Sequence, residues 1–257
     1  MNIAIIGESS NISRVILKSL ETKKHKVKMF GRKSSELKFD LLDQDFNLIS
    51  NFDLVIFVAH DHRPHARIQE LIYRNYTETL RLLQGNGQNG MFISTMSASL
   101  FNRSRYAKHK LKLESLFISH NFKVVRLGLV VGTSGEVKNT KAFKNISKLA
   151  NFPILRFYNS NLKVIYTTNL QFIEKWFLRD SFSNIDSVTD IYDNEFSSAS
   201  ELLSSIRNRQ ISFIPISLAK ISNMIYYSQL NGLFSILDKI LNFSDGMSLR
   251  ISRTKTK

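Results

Sequence analysis

The sequence predicts an α/β chain organised around a doubly wound parallel sheet, and three observations predict it. Apolar runs of strand length alternate with amphipathic segments of helix length through the first 132 residues. Runs such as "LVIFVA" are continuously apolar, which is the pattern of strands covered on both faces. The connections are short, so successive strands are expected to lie parallel, with helices crossing over both sides.

Each element can be justified in order. "NIAIIG" is the first strand, followed by a helix expected from about Ser13 to Thr22. "KVKMFG" is the second strand, and the short run "LKFDLL" comes after it. "FDLVIFVAH" is the next strand. The helix expected from about Ala66 to Gln84 carries Ile68, Leu71, Ile72 and Tyr76 on one face, continued by Leu80 and Leu83. "GMFIST" reads as a strand, "RYAKHKLKLESLFISH" as a helix and "FKVVRLGLVVG" as one further strand. Beyond Gly132 the regularity weakens. Residues 133–155 read as loop and helix, "LKVIYTTNLQFIEKWFL" as a strand feeding a helix, and the last 60 residues mostly as amphipathic helix ending in the polar tail "RISRTKTK".

Composition narrows the function classes. The 257 residues include no cysteine, which removes disulfides and thiolate-metal sites. A chain that is 43% hydrophobic and 22% charged is globular rather than disordered. The formal charge of +15 is spread along the chain without an RNA-binding or helix-turn-helix signature. It is read as a surface that steers anionic ligands, not as a specific nucleic-acid interface. No signal peptide or membrane span is visible, so the expected location is cytoplasmic. "HDHRPH" brings His60, His62 and His65 close together, but with no companion acid motif it is read as a polar loop, and no metal is expected. The stretch "LAKISNMIYYSQLNGLFSILDKILNF" is read as packing a substrate lobe or a subunit interface rather than a membrane surface.

Chemistry concentrates in "SRYAKHKLKLE". Tyr106 and Lys110 stand four apart on an expected helix, so they share a face. An ammonium group beside a tyrosine favours the tyrosinate and would bring its pKa down towards the working range of an acid-base catalyst. Upstream, "FISTMSA" ends a strand with hydroxyls at Ser94, Thr95 and Ser97, any of which could bond a substrate carbonyl or alcohol. At the amino end, "IAIIGESSNISRVILKSL" has the layout of a strand, a glycine turn and a helix start. The N–H groups of Ser10, Asn11 and Ile12 at that start would offer an anion the positive end of the helix dipole.

These motifs resemble the extended or atypical short-chain dehydrogenase/reductases, in particular the sugar-nucleotide epimerase, dehydratase and reductase group. "YAKHK" is similar to that family's Tyr-x-x-x-Lys motif and "FISTMSASLF" to its strand-end segment. "FVAH" and "NYTETLRLL" before them and "VVRLGLVVG", "LKVIYTTNLQFI" and "ISFIPIS" after them resemble the family's other segments in the expected order, with Leu127 in place of a proline and Thr168-Asn169 in place of the usual acid. The resemblance implies a Rossmann-type sheet in residues 1–132, with 162–192 returning to it. Residues 133–161 and 193–257 would form a small, mostly helical substrate-binding lobe.

It further implies that Tyr106 exchanges the proton at the sugar's hydroxyl or keto carbon, that Lys110 holds the nicotinamide ribose, and that Ser97, with Thr95 as second choice, polarises the reacting oxygen. Gly7, Ser10 and Ser13 stand where the family's phosphate loop has three glycines. Ala59 and Asn75 would lie by the cofactor, and Asp40 and Leu41 by the adenine. The second strand ends without the acid that reads an NAD ribose diol and offers Arg32 and Lys33 instead, so NADP(H) is favoured over NAD(H). Cations such as Arg156 and Lys163 are available for a substrate diphosphate. The expected activity is reduction of a keto group on a nucleotide-linked sugar. The alternatives are an NAD-dependent epimerase, or a non-catalytic nucleotide-binding protein on the same fold. A homodimer through the helix carrying Tyr106 and Lys110 is a further implication of the resemblance.

Overall fold

A computed structural model describes residues 1–32, 37–42, 46–59, 66–100, 102, 104–132, 164–179, 185–197, 201, 202 and 205. Its main sheet uses strands β1 (Asn2–Ile6), β2 (Lys26–Phe30), β3 (Leu54–Phe57), β4 (Asn89–Thr95), β5 (Lys123–Leu127) and β8 (Val188–Ile191). They lie in the order β2-β1-β3-β4-β5-β8, and every pairing is parallel. Chain order reverses between β1 and β3, the switch point at which doubly wound sheets open a crevice beyond the strand ends. The expected run "LKFDLL" forms no full strand. It is reduced to a parallel bridge between Gly31 and Lys38.

The helices are α1 (Asn11–Thr22), α2 (Ala66–Gly85), α3 (Arg105–Ser119) and α4 (Leu170–Arg179). Alternation along each strand divides the core in two. Ile3, Ile5, Leu54, Ile56, Met91, Ile93, Val125 and Leu127 pack with α1 and α4 through Val15, Ile16, Ile173 and Phe177. Ala4, Ile6, Val55, Phe57, Phe92 and Val124 face the other way, onto Ile72, Tyr76 and Leu80 of α2 and Leu113 and Phe117 of α3. On that side Phe117 stacks on Phe92 with ring centroids 4.7 Å apart and meets Phe57 edge-on at 5.3 Å. Helices therefore cover both faces, as the continuous apolar runs require.

The sequence expectation departs from the structure after Leu127. "FKVVRLGLVVG" is not one strand but two, β5 and β6 (Leu129–Val131), and they belong to different sheets. Gly128 is the crossing point. A Cβ there would come within 2.6 Å of the Tyr166 carbonyl oxygen, so the close approach of the two chain segments requires glycine. β6 pairs with β7 (Ile165–Asn169), which pairs antiparallel with β9 (Asn194–Phe196). Among the described residues of 162–192, β7 belongs to the small sheet and β8 to the main one. Thr168 ties the two sheets together: its buried hydroxyl donates to the Ile191 carbonyl at 2.8 Å and accepts from Gly128 N–H at 2.8 Å.

Candidate active site at the carboxyl edge of the sheet

All the strand ends of interest open on one edge. β1 leads into Gly7, whose φ of 126° only glycine adopts without strain. A Cβ on Gly7 would meet the Ala59 backbone nitrogen at 2.8 Å, so the loop after β1 lies directly against the end of β3. Gly7 N–H and Glu8 N–H both donate to the Phe30 carbonyl, at 2.8 and 3.1 Å, lacing the turn to the end of β2.

The serines have structural work of their own. Ser10 caps α1 at φ −81°, an ordinary conformation for any L-residue, and its hydroxyl accepts from Ile12 N–H at 3.2 Å. Its own N–H is committed to the Gly7 carbonyl at 3.0 Å, so the N–H groups of both Ser10 and Ile12, expected to face an anion, are already bonded within the loop. Ser13 is fully buried, and its hydroxyl donates to the same carbonyl at 2.7 Å. No acid occupies the first turn of α1, so nothing on the helix opposes its dipole there.

On the adenine side of the expected cofactor, Arg32 is exposed in the turn after β2, while Lys33 lies outside the described residues. Asp40 accepts from Leu42 N–H at 3.0 Å, forming a local turn. Asn75, on α2, donates to the carbonyls of Leu41 and Leu42 at 2.9 and 3.2 Å. The structure thus gives Asn75 the task of pinning the 41–42 turn. Tyr76, buried beside it, reaches the Ala59 carbonyl at 3.4 Å. His60, His62, His65, Arg156 and Lys163 also lie outside the described residues.

At the end of β4 the Thr95 and Ser97 hydroxyls are 3.0 Å apart and hydrogen-bonded, and both residues are half-buried. The nine-residue segment to Tyr106 is held by Asn102, which is fully buried. Asn102 donates to the Ser97 carbonyl at 2.9 Å and accepts from Ser104 N–H at 2.9 Å. Ser104 then caps α3, its hydroxyl accepting from Ala107 N–H at 3.1 Å. One chain of bonds therefore runs from the Ser97 backbone to the first turn of the helix that carries Tyr106.

Lys110 is almost wholly buried. Its Nζ donates to the Ile93 carbonyl at 2.9 Å and lies 4.3 Å from the centre of the Phe92 ring. Burial lowers its pKa to about 7, against the opposing pull of the Glu114 carboxylate. Burial likewise raises Tyr106 to about 12. This reverses the expected direction for the tyrosine: desolvation decides its pKa, and the ammonium does not bring it down.

Behind the pair lies a buried network that sequence reasoning missed. Glu114, one helical turn beyond Lys110, accepts from the Ser94 hydroxyl at 2.6 Å. Arg126 on β5 grips the same carboxylate through Nε, at 2.9 Å to both oxygens, and through Nη2. Asp190 on β8 is 3.9 Å from the Arg126 guanidinium. An acid four residues after Lys110, and an arginine inside an apolar strand, were the available signals.

The second unanticipated feature is Glu8. Its side chain lies on Gly31, the residue that follows β2.

No protein-family model matches the chain, and no curated protein matches it by sequence. Solved structures do match. A nucleoside-diphosphate-sugar epimerase from Staphylococcus aureus aligns over 98% of this chain and 93% of its own, with a TM-score of 0.67 at 13% identity. A dTDP-4-dehydrorhamnose reductase from Clostridium acetobutylicum aligns over 84% of each chain, with a TM-score of 0.59 at 16% identity. A short-chain dehydrogenase/reductase superfamily protein from Agrobacterium tumefaciens, with NAD bound, gives a TM-score of 0.61 at 13% identity over 84% of this chain and 86% of its own. At these identities the likeness is one of fold. The chain has the Rossmann-type α/β fold of those enzymes, as the sequence motifs implied. Among the described residues no helix is long and apolar enough to cross a membrane, and no cluster of His, Asp or Glu could hold a metal ion.

Proposed function

We propose that this chain is a nicotinamide-dependent oxidoreductase that reduces a keto group on a nucleotide-linked sugar. The observation that carries the proposal is the convergence at one sheet edge. Tyr106 and Lys110 are on a helix capped by Ser104 and tied through Asn102 to the Thr95–Ser97 hydroxyl pair, and the glycine turn of Gly7 opens on the same edge. Each part has a role in carbonyl reduction.

The Gly7 turn suits a dinucleotide because it leads β1 directly into the α1 N-terminus, whose first turn carries no acid. Such a cofactor, when bound, supplies or accepts a hydride. Thr95 and Ser97 would orient the carbonyl oxygen. Tyr106, kept protonated by burial, would donate its proton as negative charge develops on that oxygen. Lys110 would reach the ribose from the same helix face; burial lowers its pKa to about 7, so it titrates near neutrality rather than staying fully cationic. A tyrosine held neutral suits the reducing direction, in which the group must arrive as an acid.

The second reading is a nucleotide-sugar epimerase, which would use the same pair in both directions. It draws on the alignment with the Staphylococcus aureus epimerase across nearly the whole chain. Loss of reduced-nicotinamide absorbance on a panel of UDP- and dTDP-linked 4-keto sugars separates the two. Net oxidation of the cofactor supports the reductase. Isomerisation of sugar nucleotides without net cofactor change supports the epimerase. Inertness with both panels, in a protein that binds neither cofactor, would leave the non-catalytic reading.

A further inference from the structure

We infer that Glu8 is the residue that reads the adenosine ribose in this chain and that it selects NAD(H) over NADP(H). The inference rests on the dinucleotide reading above. In doubly wound dinucleotide sites the ribose of the adenosine half lies at the end of the second strand, where an acid at the strand end bonds its hydroxyls. Here β2 ends in Phe30, Gly31 and Arg32, with no acid of its own.

The structure brings an acid in from the neighbouring loop. Gly7 and Glu8 N–H both bond the Phe30 carbonyl, which fixes residue 8 over the end of β2. The Glu8 side chain then crosses Gly31: a Cβ built on Gly31 would be 2.8 Å from Glu8 Cβ and 2.8 Å from Glu8 Oε2. The carboxylate rests where any other residue at position 31 would place its own side chain, and Glu8 is partly buried there. Gly31 is held in turn by the bridge to residues 37–39, with its N–H bonded to the Leu37 carbonyl and its carbonyl accepting from Phe39 N–H, both at 3.2 Å. Glycine at 31 and glutamate at 8 therefore form one unit.

A carboxylate in that position accepts hydrogen bonds from a ribose 2′-hydroxyl and repels a 2′-phosphate. Like charges brought together at a binding interface cost several kcal/mol. Arg32 beside it is exposed, where its attraction for a phosphate is screened by solvent and salt. On this balance the partly buried acid outweighs the exposed Arg32, and NAD(H) takes the place of the NADP(H) preference read from Arg32 and Lys33.

The test is a fluorescence titration of the full chain with NADH and NADPH, in wild type, Glu8→Gln and Gly31→Ala. The two variants attack the unit from opposite sides. One removes the charge and leaves the side chain in place. The other leaves the charge and pushes it away with a methyl group. Thermal unfolding checks that both fold. Wild type should bind NADH more tightly by about tenfold or more, a difference of about 1.4 kcal/mol. Both variants should bring the two affinities within about threefold, chiefly by tighter NADPH binding. Preferential binding of NADPH by wild type, or a ratio unchanged in both folded variants, would overturn the assignment of Glu8 while leaving the dinucleotide site intact. Binding of neither cofactor by folded wild type would overturn the dinucleotide reading itself.

Discussion

Replacing Lys110 by methionine should change the pH dependence of stability in a way that can be worked out beforehand. The amine is nearly inaccessible, and burial takes its pKa from 10.5 to about 7. The unfolded chain therefore binds one more proton than the folded chain between about pH 7 and pH 10.5. Stability rises with pH wherever the unfolded state binds more protons. Lys110 thus weighs most heavily against folding below pH 7, and that burden lifts as the pH climbs to the unfolded value. Across the whole window it amounts to roughly 5 kcal/mol, at about 1.4 kcal/mol per unit of pKa shift.

Methionine has similar reach and no charge, so the difference between wild type and Lys110→Met isolates this one group. Its lost hydrogen bond to Ile93 adds a constant that does not vary with pH. Between pH 7.5 and 9.5 the wild type should gain about 2.5 kcal/mol on the variant, by the linkage relation for a single site. Keeping below pH 10 avoids ionising Tyr106, whose pKa is raised to about 12. Urea unfolding at four pH values measures the difference directly. Two stability curves parallel to within about 0.5 kcal/mol would refute the claim that Lys110 is buried at the cost of its charge.

The other predictions concern separate parts of the site and scaffold. Tyr106→Phe should lower turnover of a keto-sugar substrate by about 10²- to 10⁴-fold while cofactor affinity, followed by fluorescence, stays within about twofold. Arg126→Met should destabilise the fold by about 3–5 kcal/mol in denaturant, because it leaves the Glu114 carboxylate buried without its bidentate partner. Gly7→Ala should cost about 1–3 kcal/mol of backbone strain at φ 126° and weaken cofactor binding, since its Cβ would collide with the Ala59 backbone and push the turn off the end of β3. Thr168→Val, which strips the hydroxyl shared by Gly128 N–H and the Ile191 carbonyl, should cost about 1–3 kcal/mol and show as earlier amide exchange in β6 and β7.

The sheet was legible because its strands obey a local rule. Residues buried on both faces must be apolar at every position, and "IAII", "LVIF" and "MFI" are. The placing of Tyr106 and Lys110 on one helix was legible for a similar reason, a helical spacing within five residues. What escaped depends on contacts between distant segments. Nothing local in "VVRLGLVV" ends a strand at Leu127; the chain turns out of the main sheet because Tyr166 approaches Gly128 from β7. The short β8 and the polar β9 lack an apolar run of their own, and their partners define them. The tyrosine pKa was misjudged because spacing says which side chains share a face but not where an ammonium points. Lys110 bonds the Ile93 carbonyl, and burial then dominates both groups.

The serines of the amino-terminal loop show how a glycine pattern can be altered without disturbing the geometry behind it. Glycine is required where φ is positive or where a side chain would collide, and in this loop both conditions hold at Gly7 alone. Position 10 has an extended backbone, so serine costs nothing there and contributes a cap. Position 13 is buried at the seat of α1, where a hydroxyl would ordinarily be a liability, but the Gly7 carbonyl accepts its hydrogen bond at 2.7 Å. Ser19 repeats the device further along the same helix, bonding the Val15 carbonyl and reaching the Glu174 carbonyl on α4 at 3.1 Å. Each serine is thus matched by a partner already in place, a donor for Ser10 and acceptors for Ser13 and Ser19, and the turn keeps its seat against β3. The departure with chemical consequence is one residue after Gly7. There a carboxylate reaches across Gly31 to the end of β2, and the loop itself carries the charge that the strand end lacks.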